Sequence, residues 1–184
     1  MTVKNTGFSN TSDYITAGDM FPDNGSKLGK FQAAVQIRRS SKLNISNLLA
    51  VGFPIGLIVD GEKGQTVSYA KAGEFKLENC IFSGMDVLGT DKNKEYEDYF
   101  YDYTTKTEDR SLVSFSHSFF LAGIGNRAME ENLLGLSDPA NTGQNYCPTT
   151  EISDGKGGYI GAFRNPSDNW MNGWTNFDPQ NTIY

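Results

Sequence analysis

Short apolar runs separated by Gly, Asn and Pro recur along this chain, a pattern that predicts many brief β-strands rather than long helices. Gly56 to Val59 is a predicted buried strand, because Pro54 before it and Asp60 with Gly61 after it mark turns. Around it, apolar residues at every second position predict half-buried strands. These inward-facing positions are Val35, Ile37, Leu43, Ile45, Phe75 and Leu77.

Three segments align with one another: residues 3–10, 45–52 and 77–84. Each has an aliphatic residue, any residue, then Asn, and five positions after the Asn comes Gly or another Asn. The repeated structural positions are Asn5, Asn47 and Asn79, followed by Gly52 and Gly84. The spacing of the Asn residues is long enough for one coil of a solenoid with loops of variable length.

The repeat has a physical meaning in a parallel β-helix, where equivalent strands stack about 4.8 Å apart. Asn tolerates the left-handed backbone of a corner, and stacked amides hydrogen-bond along the stack. Gly provides the next corner with positive φ. The sequence therefore predicts an all-β parallel β-helix (solenoid) fragment, with Asn5, Asn47 and Asn79 lying above one another.

The last coil of a solenoid needs a cover over its open strand edges. We assign residues 1–90 to the coils, with excursions at 13–30 and 62–73, and residues 91–184 to an irregular capping region and tail. Weak helical spacing between Ser114 and Leu136 makes the cap partly helical. Both parts belong to one structural unit.

Composition narrows the function classes. The formal charge of -6 and the pI near 4.8 argue against nucleic acid, whose phosphates require clustered cations. No apolar run is long enough to cross a membrane. Because the first residues lack the apolar segment of a signal peptide, the chain is either cytoplasmic or a fragment, and we favour a fragment with its export signal upstream.

Few residues of the sequence suggest a catalytic or metal-binding site. His117, between Ser116 and Ser118, suggests a catalytic triad, but no Gly-x-Ser-x-Gly elbow accompanies it, and a structural histidine is favoured. Arg38 and Arg39 are the only credible basic pair for a β-eliminating lyase, but a solvated strand end is the favoured interpretation of these cations. A solvated face is favoured over calcium binding or catalysis for the acidic residues Glu95, Glu97, Asp98, Asp102, Glu108 and Asp109. We predict no catalytic residue, no metal ligand and no cofactor, with calcium left open.

Aromatic residues are the candidate binding groups, since each buries a large apolar area at low entropic cost. The candidates are Tyr99, Tyr101, Tyr103, Trp170 and Trp174. For the two tryptophans, packing as a lid on the terminal coil is the favoured alternative. The sequence does not decide whether the two cysteines form a disulfide. Cys80 is predicted to be a core residue, and Cys147 precedes Pro148 in a predicted loop.

The sequence resembles a family of secreted Bacteroidetes proteins without an assigned activity. The similarity rests on residues 35–45 and 52–61 and on the closing Gly-Ala-Phe … Trp-x-x-Gly-Trp-Thr-x-Phe-Asp pattern within 161–178. The resemblance implies the C-terminal half of a pectate-lyase-like right-handed β-helix, export, and residence at the cell surface or outside the cell. Members often carry a C-terminal sorting signal. The resemblance supplies no catalytic residues.

Two functional hypotheses follow. The first is a non-catalytic, secreted or cell-surface β-helix that binds a glycan or a protein partner, for instance within an outer-membrane assembly. The alternative is a polysaccharide lyase or glycoside hydrolase whose active groove lies mostly in upstream coils.

Overall fold

The computed structural model describes residues 2–4, 33–51, 53–92, 95–129, 151–165, 167–168 and 170. Strands dominate this part of the chain, with two short helices between them. The elements in chain order are β1 (Thr2–Lys4), β2 (Ala33–Ile37), β3 (Ile45–Ser46), β4 (Leu49–Val51), β5 (Ile55–Val59), α1 (Thr66–Lys71), β6 (Leu77–Glu78), β7 (Ile81–Ser83), β8 (Val87–Thr90), β9 (Phe100–Asp102), β10 (Thr107–Asp109), α2 (Phe115–Ala122) and β11 (Arg127–Met129).

Parallel pairing organises the strands into three sheets, with the orders β1-β4-β7-β11, β2-β5-β8 and β3-β6. Each strand from β1 to β5 pairs with the third strand further along the chain. The same register offset of 32 residues joins β3 to β6, β4 to β7 and β5 to β8. The prediction of an all-β chain with parallel strand pairing is therefore confirmed.

Corners with left-handed backbone separate the short strands. Asn47 follows β3 with φ of 56°, and Asn79 follows β6 with φ of 52°. Their positions are equivalent because Ser46 pairs with Glu78, and the Asn47 amide donates to the Glu78 carbonyl over 3.1 Å. One strand further on, the pairing of Arg127 with Ile81 makes Gly125, with φ of 72°, the equivalent of Asn79. Asn and Gly hold these corners because they tolerate positive φ.

The first copy of the sequence repeat is aligned differently from our expectation. Val3 pairs with Ala50 of β4 instead of Ile45 of β3, so that part of the alignment is wrong. An aliphatic-x-Asn pattern is too short to set a register, which depends on which side chains are buried. Asn5 and Gly52 lie outside the described residues, whereas Gly84 follows β7 with φ of 63°.

The core lies between the parallel sheets. Its largest cluster joins residues from seven elements (β2, β4, β5, β6, β7, α1 and α2) with those of the loops between them: Val35, Ile37, Leu48, Ala50, Leu57, Val59, Ala70, Phe75, Leu77, Cys80, Phe82 and Phe120. The rings of Phe82 and Phe120 are stacked, with centroids 4.2 Å apart and planes at 5°. This contact fixes α2 against β7, since aromatic pairs combine area burial with a specific geometry.

Two sheets are covered at one end by residues after β8. A β-carbon at Gly89 in β8 would overlap the backbone of His117, so α2 lies directly against that strand. Asn126 covers β6, because its Nδ2 donates to the Leu77 carbonyl over 2.9 Å and its Oδ1 accepts from the Cys80 amide over 2.8 Å. These contacts satisfy backbone groups that an edge strand would leave open.

One strand of the predicted capping region, residues 91–184, belongs to the largest parallel sheet. β11 (Arg127–Met129) lies in the predicted capping region, yet it extends the largest parallel sheet beyond β7. The chain between β8 and β11 contains the hairpin of β9 and β10 and helix α2, so this connection is longer than the earlier ones. In the described part of the chain, neither helix has the length and hydrophobicity to cross a bilayer.

Candidate functional site

Tyr101 and Tyr103, two of the candidate binding residues, lie in the hairpin of β9 and β10. Its strands pair in antiparallel fashion, with Tyr101 opposite Glu108. Asp102 closes the turn, since its Oδ1 accepts from the Thr104 amide over 2.7 Å. This hydrogen bond lowers the pKa of the Asp102 carboxyl. The turn therefore presents a charged side chain at the end of β9.

Tyr101 and Tyr103 lie together at this turn. Their rings meet edge to face, with centroids 4.8 Å apart and planes at 85°. The Lys92 ammonium lies 4.2 Å from the Tyr101 ring centroid, a cation–π contact. Burial, together with the charges of Asp60 and Glu62, raises the pKa of Tyr103. The Tyr103 phenol is therefore a neutral hydrogen-bonding group in the physiological range.

A cleft separates the hairpin from helix α1. The helix side contributes Gln65, Ser68 and Lys71, and the hairpin side contributes Tyr101, Asp102, Tyr103 and Thr104. Its volume is about 100 Å³. An amide, hydroxyls and opposite charges thus surround two aromatic rings, a combination that suits a polar ligand with an apolar face.

Tyr99 is separated from the other two tyrosines by its burial. Its side chain is 4% exposed, and its hydroxyl donates to the Glu95 carboxylate. The Arg110 guanidinium lies 4.3 Å from the Tyr99 ring centroid and forms a cation–π contact with it. Burial is also the main cause that raises the pKa of Tyr99. We assign Tyr99 to the support of the hairpin and not to ligand contact.

Trp170 lies elsewhere, on the segment that follows residue 151. Its ring is 57% exposed, packs 5.9 Å from the buried Phe163 ring, and its Nε1 donates to the Ala162 carbonyl over 3.0 Å. The segment is attached to the sheets by Ile160, which is buried against Leu49. Trp170 does not line the cleft, and Trp174 lies outside the described residues.

Asp91 is a buried carboxylate that the sequence reasoning missed. It accepts hydrogen bonds from the amides of Tyr101, Phe115 and Ser116 and from the Ser116 hydroxyl, at 2.9 to 3.1 Å. Burial raises its pKa, and these hydrogen bonds act against that effect. With both oxygens occupied, Asp91 joins the hairpin to the start of α2 and so positions one wall of the cleft.

His117 forms no Ser-His contact of the catalytic kind with Ser114. The imidazole Nδ1 lies 2.5 Å from Asp98 Oδ2, whereas the Ser114 hydroxyl accepts from the His117 backbone amide over 3.0 Å. Ser114 is thus the N-cap of α2. Arg38, half of the predicted basic pair, lies 3.4 Å from the buried Asp60, and Arg39 is exposed with φ of 54°.

Three acidic residues in and just before the hairpin, Glu95, Glu97 and Glu108, are engaged with cations. Lys92 lies 3.0 Å from Glu95 and 3.7 Å from Glu108, and Arg110 pairs with Glu97 and Glu108. Within the described ranges, no three His, Cys, Asp or Glu residues are grouped as metal ligands would be. Cys80, the one cysteine in those ranges, is buried and free, and its burial raises the pKa of the thiol.

Comparisons with known proteins add no residue roles. A scan against protein-family models found no match to the chain, and searches of curated proteins and of solved structures found none. The site is therefore defined by its geometry.

Proposed function

We propose that this chain is part of a right-handed parallel β-helix protein that binds a glycan, without catalysis, through the cleft between α1 and the β9–β10 hairpin. The observation that carries the proposal is the pair of Tyr101 and Tyr103 rings, which meet at a cleft also lined by amide, hydroxyl and charged side chains. In this proposal the solenoid carries the cleft, whose walls are α1 and the β9–β10 hairpin.

The solenoid part of the proposal is supported by the regular strand pairing. Each strand from β1 to β5 pairs in parallel with the third strand further along the chain. The corners at Asn47, Asn79 and Gly125 recur at equivalent register. Parallel strands joined by crossovers in one sheet are right-handed in nearly all proteins, which supports the proposed hand.

The glycan part is supported by the chemistry of the cleft. Sugar rings have C–H-rich faces that pack on aromatic rings, while their hydroxyls exchange hydrogen bonds with amides, hydroxyls and charged groups. Tyr101 and Tyr103 offer the rings, and Gln65 and Ser68 offer the polar groups. A volume of about 100 Å³ suits one sugar ring or part of one.

We further propose a secreted or cell-surface location, on the strength of the resemblance noted above. The lyase or hydrolase alternative has less support, because Arg38 is engaged with Asp60 and the acidic residues around Lys92 and Arg110 are engaged with those cations. A protein partner remains a testable outcome for the same surface.

Glycan binding is tested with Tyr101→Ala and Tyr103→Ala, measured on a glycan array and by calorimetry with each glycan retained. Each change removes one ring of the cleft, so binding should fall by at least about tenfold, the effect of roughly 1.4 kcal/mol. Tyr159→Ala is the matched control, since Tyr159 lies in a different segment. Equal binding by all three variants would refute the site, and turnover of any glycan would favour the enzymatic alternative.

A further inference from the structure

A second cavity, separate from the glycan cleft, lies beside β7, β8 and β11. Its apolar wall comes from Phe82, Leu88 and Met129, among others, and its polar groups are Asp86, Asp98 and His117. The volume is about 380 Å³. Cavities of this size with apolar walls and a few convergent polar groups are typical of small-molecule sites.

The imidazole of His117 is held in a defined orientation at this cavity. Asp98 Oδ2 lies 2.5 Å from Nδ1, and Asp98 Oδ1 accepts from the Ser114 amide over 2.8 Å, which fixes the carboxylate. Because an ionised carboxylate is an acceptor, the Nδ1 of a neutral imidazole carries the proton. Nε2 is then a hydrogen-bond acceptor.

The other polar group of the cavity is also an acceptor. The Asp86 carboxylate accepts from the Tyr96 hydroxyl, so it presents acceptor oxygens at the cavity. Asp86 and Asp98 together disfavour a carboxylate or phosphate ligand, because like charges repel at short range. The lining therefore combines apolar contact with groups that accept hydrogen bonds.

We propose that this cavity binds a small, mainly apolar molecule that carries a hydroxyl or amino group, with that group donating a hydrogen bond to His117 Nε2. The apolar body packs on Phe82, Leu88 and Met129, and the donor group faces the imidazole. This site is independent of the proposed glycan cleft, since the two cavities share no lining residue.

The test follows the single histidine of the chain by nitrogen NMR during titration with four probes of similar size. Benzyl alcohol and aniline carry a neutral donor, toluene carries none, and benzoate carries a negative charge. Both donor probes should shift the Nε2 resonance and bind roughly fivefold more tightly than toluene, the effect of one neutral hydrogen bond. The alcohol and amine titrations separate the two donor classes.

Two variants localise the effect. His117→Phe removes the acceptor and should abolish the preference for the donor probes. Ala128→Trp, placed at the cavity wall, should weaken all binding while the His117 resonance keeps its starting position. Tyr101→Ala, in the glycan cleft, should bind the probes as the unaltered chain does. Equal affinity for toluene and benzyl alcohol, preferred binding of benzoate, absence of binding, or a proton found on Nε2 in the free protein would overturn the proposal.

Discussion

Asn79 and Gly125 occupy equivalent corners of neighbouring strands, and the side chain of one fills the space that a side chain on the other would need. A β-carbon at Gly125 would approach Asn79 Oδ1 more closely than the 3.0 Å below which real β-carbons essentially never come. Gly125 also has φ of 72°, a left-handed conformation that strains other residues. Two independent effects therefore select glycine at this corner.

Gly125→Ala should destabilise the fold by about 2–3 kcal/mol, since backbone strain of roughly 1–2 kcal/mol adds to the displacement of the Asn79 amide. The measurement is the midpoint of urea unfolding, followed by circular dichroism. Gly73→Ala is a matched control, because Gly73 has φ of 71° and no atom within 4 Å of its β-carbon position. Equal losses for the two variants would contradict the proposed contact.

Ser116 links the helix α2 to strand β5 through a buried hydroxyl. Its Oγ accepts from the Val59 amide over 2.9 Å and donates to Asp91 over 3.0 Å. Ser116→Ala leaves the Val59 amide without this acceptor in a buried site, which should cost about 1–3 kcal/mol of unfolding free energy.

Ser118→Ala serves as the control for this change, since Ser118 is exposed on the same helix. In thermal and urea unfolding, Ser116→Ala should be clearly less stable than Ser118→Ala. If Ser116→Ala proves as stable as Ser118→Ala, the buried hydrogen bond makes no net contribution to the free energy of unfolding.

Parts of this architecture were predictable because they depend on local properties. The run from Ile55 to Val59 is apolar throughout and follows Pro54, so its burial as a strand follows from composition and a turn signal. The corners at Asn47 and Asn79 were found through a residue type that tolerates positive φ. Their equivalence in the sheets matches the spacing read from the sequence.

Other parts depend on tertiary packing that no local pattern reports. Gly125 occupies the corner equivalent to Asn79, so a search for repeated Asn residues did not find that copy. The register of β1 was predicted wrongly because the repeated pattern is too short to define it. Helix α1 has six residues within a predicted loop, too few for a clear period.

The candidate site was predictable only in outline. Alternating tyrosines at 99, 101 and 103 suggest one common face, yet Tyr99 precedes the strand and is buried against Arg110. The opposite wall comes from α1, thirty residues or so earlier in the chain, and such long-range contacts are set by packing. The buried Asp91 gave no signal beyond its place after β8.

Asp102 and the Thr104 amide form the turn of the hairpin, and their hydrogen bond makes the stability of the fold depend on pH. The bond lowers the pKa of Asp102 in the folded state, below its unfolded value of about 3.9. The folded state then binds a proton less readily than the unfolded state. The stabilisation from this hydrogen bond is complete at pH values above the unfolded pKa of Asp102. It is lost as the pH falls through the lower pKa of the folded state.

Asp102→Asn should remove this pH-dependent contribution while keeping a side-chain oxygen that accepts from the Thr104 amide. The difference in unfolding free energy between the original chain and the variant should therefore be constant from neutral pH to about pH 5 and should shrink below about pH 4. Urea midpoints over this range give the difference, and carbon NMR of the Asp102 carboxyl gives its pKa directly. A carboxyl pKa at or above about 3.9, or a difference that grows as the solution is acidified, would contradict the assignment of the Thr104 amide as the group that stabilises the Asp102 anion.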